Sequence, residues 1–328
     1  MQQDGKIFTN LLIILKNFFL EKKTNTPHKE ITNSFNVYFL GGLIFLIGII
    51  FINIDNLLKL FLLLMFLLGL ASDKSIINLP KKRFFLQLVI VISSVVFLDF
   101  FIFSTKIVFI DNLLDHYYFK LFFTTICILI LINGSNFIDG VNLNLVGYYL
   151  IIAIILNILC NNENIILEYD INLLICFLTL IYILNFNGKI ICGDSGAYTI
   201  SYLFGYILIE FSKVNTDVSP LFVMLLLWYP AFENLFSILR KQKLRKSPLK
   251  PDFKHLHQLI FAHLKKKYVK KKIIYLNNLT GLLINFYNLT VFLIALNYYY
   301  NSKVLMLIVT FNIIIYLKIY FFYQKKLS

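Results

Sequence analysis

A 328-residue chain that is 59% hydrophobic and only 15% charged, with mean hydropathy +0.77, carries more apolar surface than a soluble domain can bury. Its net charge of +14 then points to basic loops along one membrane face, and no nucleic-acid partner is expected. Four cysteines (Cys127, Cys160, Cys176, Cys192) with no C-x-x-C spacing suggest neither a disulfide framework nor a zinc site.

In chain order, apolar runs of helical length predict spans at about 7–20, 37–54, 56–71, 84–103, 118–134, 145–160, 171–186, 195–211, 218–238, 274–297 and 303–323. Backbone polar groups in hydrocarbon must be paired within the segment, so these are helices. The expected fold is all-α: a single polytopic membrane domain over 1–328 with about eleven transmembrane helices and one sizeable loop, 239–273. Residues 7–20 lack a small-residue cleavage site and read as a retained span. Residues 104–117 read as a short strand or an interfacial piece.

Loops 21–36, 72–83, 135–144, 187–194 and 239–273 and the tail 324–328 alternate onto one side and hold 23 of the 31 Lys and Arg. The other side has Lys6, Lys106, Lys213 and Lys303. This asymmetry assigns the first set to the cytoplasm.

Four polar clusters fall in those same loops. "GLASDKSIINLPKKR" (69–83) ends a span with Ser72 and Asp73, followed by Lys82 and Arg83. Taken alone it reads as a basic anchor with an incidental Asp. In "NGSNFIDGVN" (133–142), Asn133, Asn136, Asp139 and Asn142 recur every three residues, roughly on one helical face. "CGDSGAY" (192–198) opens a span with Gly193, Asp194 and Ser195; its amides suit an anion and Asp194 a metal, though a plain N-cap has the same signature. "PLKPDFKHLHQL" (248–259) sets His255 and His257 in a basic loop that suits phosphate better than metal, since no third ligand is adjacent. Just upstream, Glu233 and Arg240 stand at the end of a span. Two spans separate each cluster from the next, so all four share one face, and one polar site is the economical account. Carboxylates, cationic groups and anion-cradling turns suit phosphoryl chemistry with Mg²⁺.

These four motifs, in this order, resemble the polyprenyl-phosphate N-acetylhexosamine-1-phosphate transferase superfamily, glycosyltransferase family 4. The family pattern is Gly-x-x-Asp-Asp with downstream Pro, Arg and Gln, then Asn-x-x-Asn-Phe-x-Asp-Gly-x-Asp, Leu-Gly-Asp-Ala-Gly-Ser, and Arg-x-Ser-Pro…Pro-Asp…His-x-His. "TPHK…GG" (26–29, 41–42) is similar to a weaker family segment. The chain departs at Ser72, where an Asp is usual, and at Asn142, which replaces the last Asp of the second motif. Counting from Gly69 pairs Asp73 with the family's second Asp; counting back from Pro80 and Arg83 pairs it with the first.

The resemblance implies transfer of an N-acetylhexosamine-1-phosphate from a UDP-sugar to undecaprenyl phosphate, with UMP leaving. The product would start a lipid-linked surface or cell-wall glycan. It implies a bacterial inner-membrane enzyme with its active site facing the cytoplasm. It also implies Mg²⁺, with Mn²⁺ a substitute, and a homodimer. By the same resemblance Asp194 is the leading metal ligand and Asp73 lies near metal or lipid phosphate. Asn136 and Asp139 line the nucleotide side, with Asn142 and the Gly193–Ser195 turn in the substrate pocket. His255 and His257 contact the diphosphate, and Lys82 and Arg83 lie near lipid phosphate. The competing readings are a transporter or flippase for a lipid-linked or anionic solute, and an inactive homologue acting as an assembly partner. Scarce mid-span charge (Lys16, Asp99) speaks against passage through the spans.

Overall fold

The structure, a computed structural model, describes residues 38–163, 165, 167, 169–245, 247 and 254–327. These residues form helices α1 (Gly41–Phe51), α2 (Asn56–Asp73), α3 (Pro80–Phe97), α4 (Val108–Leu114), α5 (Tyr117–Ile138), α6 (Asn144–Glu163), α7 (Ile171–Phe186), α8 (Gly193–Val214), α9 (Pro220–Leu226), α10 (Trp228–Lys243), α11 (Leu256–Lys267), α12 (Ile273–Leu296) and α13 (Ser302–Leu327). The one extended pairing among them is an isolated parallel bridge between Tyr38 and Ile190. Local chemistry sets the starts: Asp55 accepts from the Leu57 amide, Asp170 from that of Leu173, and Ser219 from that of Leu221 ahead of Pro220.

Helix α8 is the axis, buried almost continuously from Ser195 to Ile209. α2 crosses it at Gly69, where any Cβ would strike the backbone of Ser195. The outer helices turn Phe51, Phe85, Phe97, Phe286 and Leu307 outward, an apolar belt suited to lipid. Between α9 and α10 the chain bends by 70°. Pro230 has no N–H for the Leu226 carbonyl one turn earlier. The Tyr148 hydroxyl donates to that carbonyl at 2.7 Å and accepts from the Tyr229 amide at 3.3 Å, so the break stays hydrogen-bonded.

The α-helical membrane character expected from composition holds, but the count of about eleven spans does not. Among the described residues five helices are long and apolar enough to cross a membrane: α2, α5, α6, α12 and α13. A sixth appears if α9 and α10 are one broken span. With 11 and 16 residues, α1 and α7 rise only about 16 and 24 Å, short of a hydrocarbon core of about 30 Å. α3 opens on Lys81, Lys82 and Arg83, and α8 is diluted by Gly, Ser, Thr and Tyr. The expected span 7–20 lies outside the described residues. Within 104–117 the chain forms the short helix α4, pinned by Asp111, which accepts from the Thr105 amide and the Ser104 and Thr105 hydroxyls.

The helices run alternately between two ends. At one meet 72–83, 138–144, 187–195 and 255–258. At the other the Lys213 ammonium donates to the Asp99 carbonyl and the Ser219 amide to the Tyr299 carbonyl. An apolar cavity of about 530 Å³ lies nearer that far end, lined by residues such as Phe101, Ile128, Val223, Met224, Trp228 and Ile313. None of the predicted carboxylates or histidines lines it.

Candidate active site

Asp73 ends α2 and caps α8. Its Oδ1 accepts from the Asp194 amide at 2.9 Å and its Oδ2 from the Ser195 amide at 3.0 Å. Both are orphan donors of a helix N-terminus, where a carboxylate also complements the dipole. The fit requires glycine at 193. Its φ is +66°, and an added Cβ would lie 2.8 Å from both Asp73 carboxylate oxygens. The "GDSG" turn therefore spends two of its amides on a carboxylate of this chain.

Asp194 points the other way. Its Oδ2 accepts from the Ser72 hydroxyl, from Arg83 Nη1 at 3.0 Å and from the Tyr198 hydroxyl at 3.5 Å. Arg83 also donates to the Ser72 oxygen at 2.6 Å. Ser72 is thus a neutral bridge, donating to a carboxylate and accepting from a guanidinium. An aspartate there would face Asp194 as a like charge. The Arg83–Asp194 pair is partly open to solvent, with 28% and 22% of the side chains exposed. Lys82, next in line, is exposed.

Asp139 follows the last turn of α5, its amide bonded to the Ser135 carbonyl at 3.2 Å. Burial pushes its carboxyl well above the usual carboxylate range. The Asp73 charge adds to this, the Gly193 amide opposes it, and the Asp194 charge adds again. Three carboxylates from three segments therefore share one field. Asn136 is half-buried one turn earlier.

The loop after Asp139 is held by asparagines. The Asn142 amide donates to Asn277 Oδ1 at 2.6 Å, and its side chain donates to Asn278 at 2.9 Å. Leu143, at φ +67°, donates to Asn185 Oδ1 and accepts from Asn285. Asn142 therefore faces α12 rather than the carboxylates, and Asn in place of Asp lets it donate there. In the first turn of α11, His257 is wholly buried and packs so closely on Gly140 that a Cβ there would strike its Nε2. Burial holds His257 down to about 3; His255 lowers it further and Glu233 opposes. The rings of His255 and His257 lie parallel, 5.8 Å apart, and His255 packs 4.8 Å from Phe137 of the second motif.

Asp73, Arg83, Asp139, Gly193, Asp194, Ser195, His255 and His257 thus come together, while Asn142 serves the scaffold and Lys82 faces outward. Pro248, Pro251 and Asp252 of the fourth motif lie outside the described residues. Ser72 as a bridge and Glu233 as the partner of His255 were not assigned from sequence. A carboxylate inside an apolar run was the available signal for Glu233. For metal, the site offers hard carboxylate oxygens whose mutual repulsion a divalent cation would relieve. Among the described residues no three His, Cys, Asp or Glu form a metal-holding group. One or two carboxylates would be the protein's share of a Mg²⁺ site in which phosphates supply the rest.

No curated protein matches the chain. Residues 56–212, which carry Ser72, Asp73, Arg83, Asp139 and Asp194, match the family described as glycosyl transferase family 4.

Proposed function

We propose that this protein transfers an N-acetylhexosamine-1-phosphate from a UDP-sugar to undecaprenyl phosphate at the cytoplasmic face of a bacterial inner membrane, releasing UMP. The family match over 56–212 supports sugar-1-phosphate transfer to a polyprenyl phosphate; the donor, the acceptor's length and the compartment belong to the proposal. The observation that carries it is the meeting of Asp73, Asp139 and Asp194 with Arg83 at the mouth of α8.

In the reaction, an oxygen of the lipid phosphate attacks the phosphorus attached to the sugar. A new P–O bond forms, the bond to the UMP oxygen breaks, and UMP carries off that electron pair. Asp194, with Asp73 beside it, would hold Mg²⁺ or Mn²⁺, which supplies neutralising charge to the phosphates. Arg83 is placed to meet an incoming phosphate with the guanidinium nitrogens that Asp194 and Ser72 leave over. Asp73 keeps the α8 turn rigid. Asn136 and Asp139 face the nucleotide side, and His255 meets the diphosphate, with His257, wholly buried against Gly140, packed beside it. Glycan initiation and a homodimer remain part of the same reading.

The test uses membranes or purified protein with radiolabelled UDP-N-acetylglucosamine, then a panel of UDP-sugars, with undecaprenyl phosphate and Mg²⁺. Labelled lipid and UMP should appear together, and Asp194→Asn should abolish both. UMP release without labelled lipid contradicts the reading, and uptake without chemistry favours a transporter.

A further inference from the structure

Glu233 is the single carboxylate of α10 and is wholly buried. Such a group is costly unless paired and hydrogen-bonded. Its Oε1 lies 2.8 Å from His255 Nδ1, and its Oε2 accepts from the Tyr316 hydroxyl at 2.7 Å. The two partners come from different elements, the start of α11 and the middle of α13. An ionised carboxylate only accepts hydrogen bonds, so the Nδ1 that faces it carries the proton and Nε2 is the nitrogen left for a ligand. Three further contacts restrict His255. Gln258 Oε1 holds its amide at 3.1 Å, and its ring packs against Phe137 and His257.

We propose that Glu233, backed by Tyr316, is a positioning residue that fixes His255 as the Nδ1–H tautomer and aims Nε2 at the phosphate-bearing substrate. The C-terminal helix, outside the matched segment 56–212, then belongs to the catalytic assembly. The inference rests on the transferase reading above. It explains why a carboxylate is kept in an apolar helix that could be packed with Leu at lower cost.

The experiment compares Glu233→Gln, Glu233→Asp and Tyr316→Phe in the full chain, alone and with His255→Gln. Glu233→Gln should lower kcat about tenfold or more, the scale seen when a functional histidine loses its orienting partner. KM for the UDP-sugar should stay within about twofold. Glu233→Asp should recover part of the loss, and Tyr316→Phe should fall between. Added to His255→Gln, Glu233→Gln should cost nothing more, since both act through one ring. Additive losses, or a folded Glu233→Gln with unchanged kcat, overturn the proposal; if Glu233→Gln does not fold, Tyr316→Phe carries the same comparison. Nitrogen NMR of ¹⁵N-histidine-labelled protein, assigned with His255→Gln, reads the tautomer without turnover. His255 should be protonated at Nδ1 in the wild type and lose that preference in Glu233→Gln. A wild type that makes no lipid-linked product sinks the transferase reading, while this spectrum still decides the role of Glu233.

Discussion

Gly193 and His257 show how single residues set the chemistry of the site. At Gly193 a side chain meets two penalties. The backbone is left-handed, costing an L-residue about 1–2 kcal/mol. The Cβ would also press on both Asp73 oxygens from 2.8 Å. Gly193→Ala should therefore push Asp73 off the Asp194 and Ser195 amides, with a lower melting temperature in detergent and transfer reduced at least as far as in Asp73→Asn. Unchanged melting and turnover would show that the cap does not position Asp194. His257 gives a pH prediction. Its imidazole falls from an ordinary value of 6.5 to about 3 on folding. The unfolded chain therefore takes the proton first. The stability carried by a neutral His257 is complete above about pH 6.5 and drains as pH falls toward 3. Melting temperature against pH should fall more steeply over that window in the wild type than in His257→Asn. Parallel curves would mean that His257 is not buried neutral.

At the level of elements, the loop from Asp139 to Leu143 is a non-helical connection inside a membrane protein. Val141, Asn142 and Leu143 are buried, so the backbone groups there need partners within the protein. Asn185 takes the Leu143 amide at 2.6 Å and gives to the Ile190 carbonyl at 2.7 Å, tying the second motif to the segment leading into the third. Asn185→Leu leaves both groups unpaired, at about 1–3 kcal/mol each. The expected result is faster hydrogen exchange at 139–144 and 189–192 and weaker transfer, with α2 and α3 unaffected. Uniform exchange would mean that the loop is held some other way. Asp73, Asp139 and Asp194 were legible in the sequence because charge at the end of an apolar run is rare. Asn277, Asn278 and Asn285 were not, because asparagines within an apolar stretch look like tolerated passengers until the loop they serve is placed beside them. The number of spans differs from the sequence expectation for a related reason. Hydropathy does not separate a lipid-facing helix from one such as α7, too short to cross alone and half-enclosed by α1 and α6.

For the whole molecule, the issue is which end faces which compartment. The contacts across α2, α5, α8 and α11 gather every reactive group at one end, whichever helices cross completely. At the other, Lys213 meets Asp99 and Ser219 meets Tyr299. Lysine and arginine crowd the first end, including the exposed run Lys265–Lys267 and Lys270–Lys272 where α11 passes into α12. On the proposed reading a phosphorylated water-soluble donor and a lipid phosphate meet at an interface, so the polar end would lie at a membrane surface, and the lysine bias supports the cytoplasmic side. Single cysteines in a Cys-free background, needed because Cys176 is exposed, test the arrangement. Ile76→Cys and Lys270→Cys should react with an impermeant thiol reagent only from the cytoplasmic side. Asp115→Cys and Asp217→Cys should react only from outside. If Ile76 and Lys270 label from opposite sides, the two motifs cannot share a site. If both label from outside, the site survives but its nucleotide donor would have to be exported, and the cytoplasmic reading falls.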